Sequence, residues 1–344
     1  MNNLYHYKNA FELESGEQLN ELKIAYTDSG KSTNKKVVWV CHALSGNADV
    51  FEWWPGLFGD NQIFNSSEYR IICANVIGSC YGSTSPADYE NPQKFPFLTI
   101  KDIVKAHQLL AEELNIQKID ILIGASLGGQ QALEWNLTDP NKFDKLILIA
   151  TNAKHSAYGR AFNEAQRLAI ESDLTFGMKD GGQAGLKAAR AIAMISYRSY
   201  QDFEIKQSES AITLKNYKAA SYIRYQGQKF VERFNPYSYY LLTKAMDSHD
   251  IRRGRGNDLA ALLSTVKSKT LVVGIDSDTL FPLQEQRLLA SHIPNANLGV
   301  IKSVHGHDAF LIEYEKLNQF IEEFLTNEFK TYRTTTLKRN YSLN

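Results

Sequence analysis

The sequence has no excess of charge of either sign. Lys plus Arg and Asp plus Glu each number 38 in 344 residues, so nothing points to a nucleic-acid footprint or to binding at an anionic membrane surface. The expected ligand is small, with any charge selectivity local. Long apolar runs are absent as well. No stretch approaches the roughly 20 residues that span a bilayer, and MNNLYHYKNAFELESGEQ at the start has no apolar core of a secretory signal. Cysteine is scarce: Cys41, Cys73 and Cys80 are an odd number without metal-ligand spacing. That pattern fits a reducing cytoplasm rather than a disulfide framework. Internal repeats and low-complexity segments are also missing. What remains is an ordinary globular composition, 43% hydrophobic and 22% charged, in a chain long enough for one elaborated domain or a core with a lid.

The most informative stretch is 119–135. It opens with a β-branched apolar run of strand length, passes through Gly124-Ala125-Ser126-Leu127-Gly128, and continues over 130–137 as a helix. Strand, tight turn and helix around G-x-S-x-G is the setting of a nucleophile elbow. A serine on so sharp a turn is strained, so Gly124 and Gly128 are expected to be small to let strand and helix approach. The Ser126 hydroxyl then projects at the positive end of the helix dipole.

The rest of the chain supplies a frame for that elbow. Residues 10–28 read as a hairpin turning at Ser15-Gly16, and 37–41 as a buried parallel strand. The loop 42–46 follows that strand, where an α/β-hydrolase places one backbone donor of its oxyanion hole; the other comes from the residue after the nucleophile. These positions are Leu44 and Leu127. His42 is read as structural, because it and Cys41 point to opposite faces. A strand over 69–76 leads into a turn-rich loop, 77–86. A helix over 99–114 is capped by Thr99 with Asp102 in its first turn, and 144–150 is a further strand. Over 155–265 strand signals vanish, and helical periodicity runs through 160–170, 185–195 and 217–233. Strands at 270–275 and 298–303 and helices at 284–292 and 314–324 then restore the alternation.

This pattern predicts an α/β-hydrolase fold: a mostly parallel sheet with helices on both faces and a helical lid insertion. The expected division is a core of 1–154 and 266–330, a lid of 155–265 and a C-terminal tail of 331–344. Within it, the order Ser126, Asp278, His307 is that of an α/β-hydrolase triad, each member following a strand. Asp276 competes with Asp278, which is favoured for its position four residues before Pro282. His305 competes with His307, which is favoured because Gly306 gives the turn that brings its imidazole over the nucleophile. A metal reading of His305-Gly306-His307-Asp308 lacks a matching cluster elsewhere, so no metal is expected.

Taken together, these residues resemble homoserine O-acetyltransferase over nearly the whole chain. The likeness runs through 42–46, Gly82-Ser83-Thr84, 95–102, 124–135, Tyr197-Arg198-Ser199, Tyr225-Gln226-Gly227, Arg233-Phe234, 245–250, 278–282 and Gly306-His307-Asp308-Ala309-Phe310. Ala125, Ser45 and Ser85 depart from the family's usual glycine, threonine and glycine. The resemblance implies Ser126 as nucleophile, Asp278 as orienting acid and His307 as base. It further implies Arg198 for the homoserine carboxylate and Asp308 for its ammonium; Arg160, Arg190 and Arg233 are other cations of the insertion. It implies a ping-pong transfer of acetyl from acetyl-CoA to homoserine in methionine biosynthesis, with no cofactor beyond that co-substrate, by a cytoplasmic homodimer. Succinyl-CoA as donor, and ester hydrolysis by the same residues, remain open at this stage.

Overall fold

The alternation of apolar side chains in the parallel strands decides the architecture. In strand β5 (Lys36–Cys41) of the computed structural model, Trp39 and Cys41 join one apolar core while Val38 and Val40 join another. A strand buried on both faces has to be covered on both. The structure describes residues 3–30 and 35–327; the tail expected over 331–344 lies outside them.

The chain enters through β1 (Asn3–Tyr7), a two-rung hairpin of β2 (Phe11–Glu12) and β3 (Gln18–Leu19), and β4 (Leu22–Asp28). After β5 come α1 (Val50–Trp53), β6 (Tyr69–Ala74), α2 (Ile100–Glu113), β7 (Ile119–Ala125), α3 (Leu127–Thr138) and β8 (Phe143–Ile149). Six helices follow: α4 (Ala157–Glu171), α5 (Gln183–Tyr197), α6 (Tyr200–Gln207), α7 (Lys218–Val231), α8 (Pro236–Asp247) and α9 (Leu259–Ser264). The chain then returns to the sheet with β9 (Lys269–Ile275), α10 (Leu283–His292), β10 (Ala296–Ile301) and α11 (Tyr314–Leu325).

Eight strands form one sheet in the order β1-β4-β6-β5-β7-β8-β9-β10. From β6 to β10 every pairing is parallel, and at one edge β4 runs against the rest, antiparallel to both β1 and β6. This is the α/β-hydrolase architecture expected of the sequence. Residues of α2, α3 and α10 pack on one face, and residues of α1 and α11 on the other.

The N-terminal hairpin differs from expectation. Only Phe11–Glu12 and Gln18–Leu19 pair across the Ser15-Gly16 turn. Leu22–Asp28 belongs to the main sheet instead, because β1, not read from the sequence, offers it a five-residue antiparallel partner. Gly82-Ser83-Thr84 secures that strand: Ser83 Oγ accepts from Ala25 N at 3.0 Å, and Thr84 Oγ1 accepts from Lys23 N at 2.7 Å. Thr99 caps α2 as expected, and the Asp102 side chain accepts in return from the Thr99 backbone N–H.

Candidate active site

The loops that leave the carboxyl ends of the parallel strands meet at one edge of the sheet, where an open α/β sheet binds its ligands. The loop after β7 carries Ser126. Its backbone has φ 56° and ψ −124°, a conformation an L-residue holds only when its surroundings enforce it. They do: a Cβ on Gly124 would lie 2.1 Å from the Gly128 carbonyl oxygen, and one on Gly128 would lie 2.0 Å from that of Cys41. Strand and helix therefore approach as closely as hydrogen allows. Thr151 Oγ1 donates to the Ser126 carbonyl at 2.9 Å and holds the turn from β8.

His307 Nε2 lies 2.9 Å from Ser126 Oγ, and its Nδ1 lies 2.7 Å from Asp278 Oδ2. The second Asp278 oxygen accepts from the backbone N–H groups of Leu280 and Phe281, both at 2.9 Å. That anchorage leaves Nδ1 as the protonated nitrogen and Nε2 free to accept from the serine. The imidazole is also fixed by ring contacts, stacked on Phe281 at 5.0 Å and edge-on to Phe310 at 5.4 Å. Burial alone would push its pKa down. The charge and hydrogen bond of Asp278, with the charge of Asp308, outweigh burial and leave it raised above the ordinary histidine value.

The rival residues face elsewhere. Asp276 accepts from Ser303 N at 3.0 Å, and His305 Nδ1 lies 2.8 Å from Asp202 Oδ1. Behind the triad, Glu285 Oε2 accepts from Asn152 Nδ2 at 3.0 Å. Burial, with the Asp278 charge adding to it against the Asn152 hydrogen bond, pushes its carboxyl up to about 7.

The loop after β5 is tightly held. Val76 N donates to His42 Nε2 at 3.0 Å, which leaves His42 Nδ1 to donate to the Ala43 carbonyl at 2.8 Å. Burial lowers the His42 pKa to about 4, so this histidine is neutral and structural. Gly46 N also donates to the Ala43 carbonyl, at 2.9 Å, and Leu44 sits inside that turn. Leu127 opens α3, where the first N–H groups of a helix have no partner within it.

Nearly the whole chain is matched by known relatives. The alpha/beta hydrolase fold family matches residues 36–314. A homoserine O-acetyltransferase of Cyclobacterium marinum is 45% identical over 332 residues, covering 93% of this chain and 94% of its own. One of Nostoc punctiforme is 41% identical over 91% of this chain and 93% of its own. This chain belongs to the homoserine O-acetyltransferase family. The crystal structure of a homoserine O-acetyltransferase from Staphylococcus aureus superposes with a TM-score of 0.82 at 30% identity, covering 97% of both chains. An acetylester hydrolase from Corynebacterium glutamicum, 23% identical with a TM-score of 0.83, shares the fold alone.

The homoserine O-acetyltransferase motifs outside the triad now have physical tasks. The His249 N–H donates to the Met246 carbonyl at 3.0 Å, its carbonyl accepts from His155 N at 2.9 Å, and its Nε2 lies 3.1 Å from the Asn152 carbonyl. Asp247 binds Arg167 Nη2 at 2.6 Å and Asn163 Nδ2 at 2.8 Å. Together they fasten α8 to α4 and to the end of β8. The α5–α6 junction rests on the His307 loop, and a Cβ on Gly306, whose φ is +64°, would lie 2.7 Å from Ser199 N.

Arg198 and Asp308 meet beside the triad. Arg198 Nε lies 3.0 Å from Asp308 Oδ2, and Nη1 donates to Asp202 at 3.2 Å. Burial raises the Asp308 pKa, against the lowering charges of Arg198, Arg190 and His307. Arg190, another cation of the insertion, lies in α5. Its guanidinium lies over the rings of Phe230 and Tyr197, at 4.6 and 5.3 Å, while buried Nε and Nη1 have no hydrogen-bond partner.

Proposed function

We propose that this protein transfers an acetyl group from acetyl-CoA to the hydroxyl of L-homoserine through an acetyl-Ser126 intermediate, in methionine biosynthesis. The observation that carries the reading is the hydrogen-bonded line Ser126–His307–Asp278 on a strained elbow, in a chain whose relatives are named for this acetyl transfer.

His307 takes the Ser126 proton as the oxygen attacks the thioester carbon. The tetrahedral oxyanion is stabilised by the N–H groups of Leu44 and Leu127. Collapse expels CoA as its thiol, with the proton returned by His307, and leaves the serine ester. Homoserine then binds, His307 accepts its hydroxyl proton, and attack on the ester carbonyl releases O-acetylhomoserine and regenerates Ser126. Water is the competing nucleophile, and the helices of 155–265 act as the lid that limits its access.

A zwitterionic acceptor needs an anion and a cation beside the base. Asp308, adjacent to His307, serves the ammonium. Two unpartnered buried nitrogens support Arg190 as the carboxylate partner, because a buried guanidinium without hydrogen bonds gains most from an incoming carboxylate. Arg198, already shared between Asp202 and Asp308, holds Asp308 in place.

The protein acts as a cytoplasmic homodimer in this reading. Of the exposed large apolar side chains, all but Leu4 and Ile312 fall between 158 and 225, a concentration that suits a self-interface. No helix among the described residues is long and apolar enough to cross a membrane. Side-by-side assays with acetyl-CoA and succinyl-CoA test the donor. Acetylhomoserine in excess over free acetate is expected, and free acetate as the main product would contradict transfer.

A further inference from the structure

The loop that presents Leu44 is tied to the helical insertion through Arg233. Arg233, two residues beyond α7, donates from Nη1 to the Ser45 carbonyl at 3.0 Å and to the Tyr81 hydroxyl at 2.8 Å. Its guanidinium lies 5.0 Å from the centre of the Phe230 ring, and Phe234 packs edge-on to Tyr81 at 5.8 Å. One side chain is thus braced by two aromatic residues while it grips a backbone carbonyl.

Peptide planarity gives that grip a reach of two residues. In a trans peptide the N–H points opposite to the C=O it is bonded to. Holding the Ser45 carbonyl therefore sets the Gly46 N–H, which donates to the Ala43 carbonyl at 2.9 Å. Holding the Ala43 carbonyl in turn sets the N–H of Leu44. His42 Nδ1 supports the same Ala43 oxygen at 2.8 Å, but from inside the core. Arg233 is the support that comes from the insertion.

We propose that Arg233 is a positioning residue for oxyanion stabilisation, aiming the Leu44 N–H through the Ser45–Gly46 and Ala43–Leu44 peptides. The inference rests on the reading of Leu44 as an oxyanion donor. It makes the insertion part of the catalytic apparatus as well as a cover, because the Arg233 contact with the 42–46 loop sets one of the two donors.

The test uses the full-length chain with Arg233→Gln, Arg233→Lys and Tyr81→Phe. Loss of an oxyanion donor outright costs about 10²–10³ in kcat, so loosening one is expected to cost Arg233→Gln about tenfold. KM for homoserine should not change. Affinity for a short alkyl boronic acid, whose tetrahedral adduct on Ser126 mimics the intermediate, should fall by the same factor. Arg233→Lys, which keeps a donor for Ser45, should recover several-fold of the loss. Wild-type kcat in Arg233→Gln, or a loss confined to KM of either substrate, overturns the proposal. If Arg233→Gln does not fold, Tyr81→Phe is read the same way with a smaller loss expected, and an unchanged kcat there overturns it. An enzyme that needs Ser126 but ignores Arg233 defeats this inference alone. Full activity in Ser126→Ala defeats the reading beneath it.

Discussion

Arg198 Nε and Asp308 Oδ2 lie 3.0 Å apart without the N–H aimed at the oxygen, so the two residues expected to divide a zwitterion between them neutralise one another. Among the described residues, Arg190 has two buried nitrogens, Nε and Nη1, without a hydrogen-bond partner and no carboxylate beside them in an ion pair. Arg190→Ala is expected to raise KM for homoserine about 10- to 100-fold, the loss of a hydrogen bond to a charged group, and to leave KM for acetyl-CoA unchanged. Arg198→Ala should act instead through Asp308. Removing a charge that lowers the Asp308 pKa shifts the acid limb of homoserine utilisation to higher pH. Steady-state kinetics with each substrate varied separates the two arginines.

The His307 pKa gives a second prediction. His307 has to be neutral to accept the Ser126 proton, and its pKa is raised by Asp278 and then by Asp308 against burial. The acid limb of the acylation half-reaction, measured without homoserine, should therefore lie above the ordinary histidine value. Asp308→Asn removes one of the raising charges, so the limb moves to lower pH. A limb that stays in place would show that the Asp308 charge is not felt at His307.

The elbow gives a third. A methyl group on Gly128 meets the Cys41 carbonyl oxygen at 2.0 Å, and neither backbone has a flexible end to move aside. Gly128→Ala is expected to destabilise the fold by about 2 kcal/mol or more and to abolish acyl-enzyme formation. Chemical denaturation, with the acylation rate of the folded fraction, measures both.

Much of this arrangement is legible in the sequence because its signals are local. The elbow announces itself through Gly124 and Gly128 flanking a serine after a strand, and Asp278 and His307 each follow a β-branched run. What escaped depends on distant partners or weaker punctuation. The hairpin is smaller than 10–28 because strand β1, whose mixed Leu4, Tyr5, His6 and Tyr7 pattern gives little hint of a strand, pairs with Leu22–Asp28. Helix α8 lies outside the helical stretches expected of the insertion, although Asn235 caps it and Pro236 stands in its first turn. Arg190 looks like any helical arginine until α5 and α7 pack and set it over Phe230 and Tyr197.

The exposed apolar side chains of 158–225 bear on assembly. Leu174, Ile212 and Leu214 are almost wholly exposed, at 97%, 103% and 93%, a cost in water that a second copy would relieve. Sedimentation of the wild type should give a dimer, and the double substitution Ile212→Asp with Leu214→Asp should shift it toward monomer. A wild-type monomer at micromolar concentration would remove the self-interface.

Acyl transfer through Ser126 is tested most directly by intact-protein mass after mixing with acetyl-CoA alone, then again after L-homoserine is added. The account predicts a gain of one acetyl group that persists in water, maps to Ser126, is absent from Ser126→Ala and disappears when homoserine arrives. An adduct shed rapidly without homoserine, or full transfer with no adduct at Ser126, would contradict it.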